Sequence, residues 1–143
     1  MEITEVKVKL TGGEEDKLQA YCSVTLDHAF VVRDLKIIKG AGRLFVAMPS
    51  RKLTDRCPRC RCKNHLRARY CNQCGNRLAE RRADTDPTGR TKLHADVAHP
   101  INAGCREEFQ DRVLEEFERE RIRSLEPGYV PVELHDHPDY DDY

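Results

Sequence analysis

Four cysteines at the spacing C-x2-C-x10-C-x2-C, namely Cys57, Cys60, Cys71 and Cys74, constrain this chain more than any other feature. Each C-x-x-C can turn two thiolates toward one point, and two such knuckles supply the closed tetrahedral sulfur set that zinc takes in structural sites. Pro58 inside the first pair and Gly75 just after the second suit the tight knuckle turn, and Tyr70 offers a flat apolar wall. The stretch from Arg56 to Arg82 therefore reads as a zinc ribbon with almost no core of its own. Its folding energy has to come from bound Zn2+, on the order of 10 to 16 kcal/mol, and without metal it should be disordered. Four thiolates leave no ligand position for water, so the ion is structural and not catalytic. Cys62 and His65 are ligand types within reach of the same point. A set with Cys62 in place of Cys60 needs a longer C-x4-C bite and ranks second; the simpler reading makes the two a spare thiol and a surface histidine. The same four thiolates also bind iron, which keeps an iron-bound electron carrier as a minor alternative.

On either side of the ribbon the chain reads as β-strands and one helix. With 143 residues there is room for one domain and a small inserted module. Val6, Val8 and Leu10 alternate with lysines, and Leu18 to Leu26 alternates again, with Ala20, Cys22 and Val24 on one face. Cys22 is most simply a core residue. Asp27-His28 between two strand-like runs makes a tight hairpin of open turn type. In Phe30 to Ile38 the apolar residues fall on both parities, which a strand covered on both faces or a bulge near Arg33-Asp34 would explain. Leu44 to Met48 is a short strand stopped by Pro49. Leu93 to Ala98 reads as the partner of that fourth strand, which places the ribbon at the tip of a hairpin. After His99-Pro100-Ile101, Asn102 can cap a helix running to about Ser124. Its apolar stripe is Cys105, Phe109, Val113 and Phe117, with Leu114 and Ile122 nearby. From Glu126 on, prolines, a glycine and acidic residues describe a loose tail. The fold class is thus α+β: a small antiparallel sheet of about five strands, a C-terminal helix, and the ribbon in the loop between the last two strands. The expected divisions are 1–53 with 92–125 for the sheet and helix, 54–91 for the ribbon, and 126–143 for an acidic flexible tail.

Charge is unevenly spread. The formal net charge is zero, yet thirteen basic and four acidic residues between Arg51 and Lys92 leave that stretch at +9. A basic module beside an acidic tail points to a polyanion partner for one and to solubility or autoinhibition for the other. No run of about eighteen apolar residues exists to span a membrane, and MEITEVKVKL lacks the apolar segment of a signal peptide. Paired C-x-x-C motifs in a chain of this kind favour metal in a reducing compartment over disulfides, so the expected location is the cytoplasm.

The blocks FVVRDLKII and LFVAMPSRK, followed after the ribbon by DVAHPIN and the amphipathic helix, resemble the SpoVG (stage V sporulation protein G) septation family. The likeness covers residues 1 to 53 and about 92 to 124. It implies a small antiparallel sheet with a C-terminal helix, a homodimer, and a bacterial regulator linked to division-septum formation and sporulation that binds DNA or RNA. It carries over no catalytic residue. Ordinary members join the two landmarks by a short loop, where this chain carries the ribbon.

Arg51, Lys52, Arg56, Arg59, Arg61, Lys63, Arg67, Arg69 and Arg77 would form one basic surface at the hairpin tip, with backbone phosphates as natural targets. Tyr70 and His65 could stack on unpaired bases. The bland reading is that so small a module puts its charges outside because it can bury nothing. The leading expectation is a non-enzymatic regulator that binds nucleic acid as a dimer, with no small-molecule substrate and no membrane. The alternative is a ribbon that docks a protein partner in a division or regulatory complex. An enzyme is a distant third: His28, His94, His99, His135 and His137 show no nucleophile-base arrangement and no open metal motif.

Overall fold

The computed structural model describes residues 1–13 and 15–134. Four strands, β1 (Ile3–Leu10), β2 (Leu18–Leu26), β3 (Phe30–Lys39) and β4 (Leu44–Ala47), form an antiparallel sheet in the order β1-β2-β3-β4. The expected α+β class holds. In β2 the alternation is complete: Ala20, Cys22, Val24 and Leu26 are buried on one face. β1 begins earlier than its lysine alternation suggests. A shift between Ile3 and Glu5 lets Ile3 share the inner face with Val8 despite their opposite parity.

The turn between β2 and β3 has Asp27 at φ 50° and His28 at φ 53°. Two positive φ values make it the I′ geometry whose twist matches that of the flanking strands. The Asp27 carboxylate also accepts from the Glu2 amide at 2.7 Å, which ties the chain's start to the turn. β3 carries the bulge: Cys22 pairs with Leu35 and Val24 with Val32, so Arg33 and Asp34 together oppose Ser23, with Asp34 at φ 61°. The extra residue switches parity, and Val32 before it and Leu35 and Ile37 after it all reach the core.

The strand that follows the ribbon differs from expectation. β8 (His94–Asp96) pairs with β5 (Ser50–Lys52), not with β4, so the sheet has four strands and not five. Pro49 is the cause, because it has no amide to extend the ladder and the chain changes partner there. Its carbonyl still accepts from the Val97 amide at 2.7 Å.

The helix α1 (Ala103–Arg123) starts at Asn102, whose Oδ1 accepts from the Cys105 amide at 2.8 Å. Phe109, Val113 and Phe117 are buried against the sheet. Ile122 does not join them and is 55% exposed. At 100° per residue it lies 140° from Phe117, whereas Glu120 lies only 60° away and is buried instead. Glu120 accepts from the Arg123 guanidinium at 2.7 Å and from the Tyr129 hydroxyl. The described part of the expected tail, 126–134, is thereby tied to the helix, and Arg123 lies 5.9 Å from the Tyr129 ring centre. His135 and His137 lie outside the described residues.

The chain divides into two compact units: one of Met1–Pro49 with the part from Val97 on, and one of Ser50–Asp96. The second unit holds β5 with β8 and a further ribbon, β6 (Thr54–Arg56) with β7 (Lys63–His65).

Candidate metal centre and basic surface

The first knuckle follows β6. The Cys57 amide donates to the Cys62 carbonyl at 2.9 Å, the Arg61 amide returns to the Cys57 carbonyl at 2.9 Å, and the Arg59 amide points at the Cys57 sulfur at 3.4 Å. The second knuckle repeats the pattern: the Gly75 amide donates to the Cys71 carbonyl at 3.1 Å and the Gln73 amide points at the Cys71 sulfur at 3.4 Å. Arg61 and Gly75 hold the same place in the two knuckles, four residues after the first cysteine, with φ 64° and 76°. Glycine meets that left-handed requirement freely; Arg61 meets it under strain.

These turns bring the sulfurs of Cys57, Cys60, Cys71 and Cys74 within 4.8 Å of one another. Cys57 and Cys74 are 3.8 Å apart and Cys60 and Cys71 3.4 Å. A tetrahedron of thiolates about 2.3 Å from one zinc has edges of about 3.8 Å, so the donor set and its spacing fit a single thiophilic ion with no open position. Cys71 is held down at about 5, chiefly by the Cys74 backbone and then by the Asn64 side chain. Cys57 is also lowered, first by the Cys60 backbone. At Cys60 the Cys62 backbone pulls down, but burial and the three neighbouring sulfurs outweigh it and push the thiol up to about 12. Four thiolates this close would repel one another, and a bound cation would offset that repulsion.

Cys62 and His65 stand outside this group. The Cys62 thiol donates to the Lys63 carbonyl, and the His65 Nδ1 accepts from the Arg67 amide at 3.2 Å. Two supporting residues carry no sequence signal. Asn64, only 4% exposed, accepts from the Asn72 amide at 2.9 Å and donates to the Cys62 carbonyl at 3.1 Å, joining the knuckles. Arg82 donates to Asp55 at 2.8 Å and to the carbonyls of His65, Ala68 and Ala79 at 2.9 to 3.1 Å.

All ten residues expected to meet nucleic acid are exposed. They are carried by several elements of the second unit. Arg51 and Lys52 lie on β5, and Arg56 faces Lys63 across β6 and β7. Arg59 and Arg61 sit in the first knuckle, where the Arg61 carbonyl accepts from Arg56 at 3.2 Å. Arg67, Arg69, Tyr70 and Arg77 share a groove, together with Arg81, which the sequence reading omitted. Among the described residues of this unit, Arg82 with Asp55 is the only ion pair.

The SpoVG family profile matches residues 1–119, a span that includes 54–91. Three curated relatives carry the name "Putative septation protein SpoVG". The one from Bdellovibrio bacteriovorus is 35% identical over 147 aligned positions covering all of both chains. The one from Myxococcus xanthus is 35% identical over 119 residues, 83% of this chain and 82% of the relative. The one from Anaeromyxobacter sp. (strain K) is 38% identical over 120 residues, 84% of this chain and 81% of the relative.

Proposed function

The chain belongs to the SpoVG family, and on that premise we propose that it is a non-enzymatic regulator of the septation type that binds DNA or RNA through the basic surface of its metal-folded unit. The carrying observation is that this surface is charged and unspent. Between Arg51 and Lys92 the net charge is +9, and among the described residues Arg82 is the only basic one of that stretch in an ion pair. Exposed arginines outside any ion pair are available to phosphates, and each phosphate neutralised releases counterions. Zn2+ on Cys57, Cys60, Cys71 and Cys74 is the structural ion that holds this surface in shape. No helix among the described residues is long and apolar enough to cross a membrane.

The test is a titration of intact and ribbon-deleted protein against double-stranded DNA, single-stranded DNA and RNA at several salt concentrations. Residues 54–91 are replaced by a short glycine linker so that β5 and β8 can still pair. Affinity should fall steeply with salt for the intact chain, and both affinity and salt slope should drop on deletion. Equal binding by both proteins removes the ribbon from the activity. Binding by neither favours the ribbon as a protein-docking module.

A homodimer belongs to the same reading. The sheet-and-helix unit leaves Phe30 66% and Ile101 90% exposed, beside a cleft of about 210 Å³ lined by Leu26, Val32, Met48 and Phe109. Such an apolar face suits a second copy. Sedimentation should give twice the monomer mass, and Phe30→Glu should shift it toward monomer.

A further inference from the structure

Tyr70 and Arg77 face each other across an isolated antiparallel bridge. On either side of it the Cys71 amide donates to the Asn76 carbonyl and the Leu78 amide to the Arg69 carbonyl, both at 2.8 Å. Successive residues of such a pair point to opposite faces. Cys71 and Leu78 accordingly turn inward and are buried, while Tyr70 and Arg77 turn outward. Tyr70 is the only aromatic of Phe, Tyr or Trp type in 50–96, yet it is 59% exposed.

Beside it runs a groove of about 780 Å³. Arg67, Arg69, Arg77 and Arg81 line it, all exposed, and the half-buried Leu66 and Leu93 supply apolar surface. Glu80 is its single acid. A ring at the edge of an arginine-walled channel meets two needs of one ligand, a flat face for a base and cations for its phosphates. Bases in a duplex hide their faces in the stack, so the ring selects unpaired ones. The described residues of this unit contain no helix to enter a major groove.

We propose that this groove binds single-stranded nucleic acid, with an unpaired base stacked on Tyr70 and the adjoining phosphates against Arg67, Arg69, Arg77 and Arg81. The site rests on the nucleic-acid reading above and narrows it to strand state and place.

The test uses the full metal-loaded chain and fluorescein-labelled oligodeoxythymidine, oligouridine and a mixed-sequence duplex at several salt concentrations. Both single strands should bind more tightly than the duplex; the two arms decide between DNA and RNA. Tyr70→Ala should weaken single-strand binding about 5- to 100-fold and leave duplex binding and the salt slope unchanged. Tyr70→Phe should restore binding. Arg77→Gln and Arg81→Gln should flatten the slope. Zinc content measured in each variant separates lost contact from lost fold. Parent-like single-strand binding by Tyr70→Ala overturns the groove while nucleic-acid binding stands. So does polyglutamate that competes as well as the single strands and depends on Tyr70 equally, which assigns the groove to an acidic peptide. An intact chain that binds neither duplex nor single strand overturns the nucleic-acid reading itself.

Discussion

Cys22 has no exposed surface, and burial pushes its thiol up from the ordinary 9.0 to about 12. Below about pH 9 the thiol is protonated in folded and unfolded chains alike, and its contribution to stability is fully present. Above that value the unfolded chain loses the proton and the folded one keeps it, so stability falls as pH rises toward about 12. The expected loss is about 1.4 kcal/mol between about pH 8 and pH 10. It is read as the difference in urea-derived stability between the parent and Cys22→Ala at each pH. Parallel decline of the two proteins would clear Cys22 of the effect. Arg82 is the opposite kind of residue, a charge kept inside by its partners. Its side chain is 12% exposed, and its planar fork holds three carbonyls and one carboxylate that a lysine could not reach together. Hydrogen bonds to charged groups are worth about 1.5 to 3 kcal/mol each. With water replacing some of them, Arg82→Ala should destabilise the ribbon by about 3 kcal/mol, and Arg82→Lys should recover less than half. Chelator competition for the bound metal measures both, and a lysine variant that holds metal like the parent would refute the fork.

At the scale of elements, what could be read from the residues is what local chemistry decides. The alternation of β2, the Asn102 cap and the bulge at Arg33-Asp34 each leave a mark within a few residues, and all three are present. The knuckles are legible for the same reason, since C-x-x-C spacing fixes geometry locally. The partner of β8 is not a local property. Hydropathy in Leu93 to Ala98 calls for a strand but cannot say whether it continues β4 or pairs beyond Pro49, and the missing proline amide decides for β5. Ile122 shows a related limit: an apolar residue near a stripe is not on it when the helical angle is wrong, and Glu120 takes the buried place because Arg123 and Tyr129 neutralise the cost. Arg82 and Asn64 were illegible because an arginine that grips carbonyls looks in sequence like every other arginine of a basic ribbon. The groove of Arg67, Arg69, Tyr70, Arg77 and Arg81 draws on two segments that the second knuckle joins, so the list of basic residues was readable and their grouping was not.

For the whole molecule, the two units have cores of different kinds. One is a contiguous apolar cluster running from Ile3 and Val8 through Leu35 and Ile37 to Phe109, Val113 and Phe117. The other is little more than Cys57, Cys71 and Leu78 with Cys62, Ala68 and Cys74 around them. The first can be stable by burial. The second buries too little to offset the entropy of ordering its chain, and on the function proposed above a metal held by the four cysteines makes up the difference. Stripping the metal with a chelator should therefore melt one unit and spare the other. Amide protection across 50–96 should vanish while the helical circular dichroism of Ala103–Arg123 persists with its thermal midpoint little changed. Nucleic-acid affinity should fall in step with metal occupancy, because unfolding leaves the charge in place but scatters the arginines that Cys71, Leu78 and Arg82 hold in register. If the helical signal collapsed at the same chelator concentration as the ribbon, the two cores would be one cooperative unit. Full affinity in the metal-free chain would mean that charge alone, and not its arrangement, does the binding.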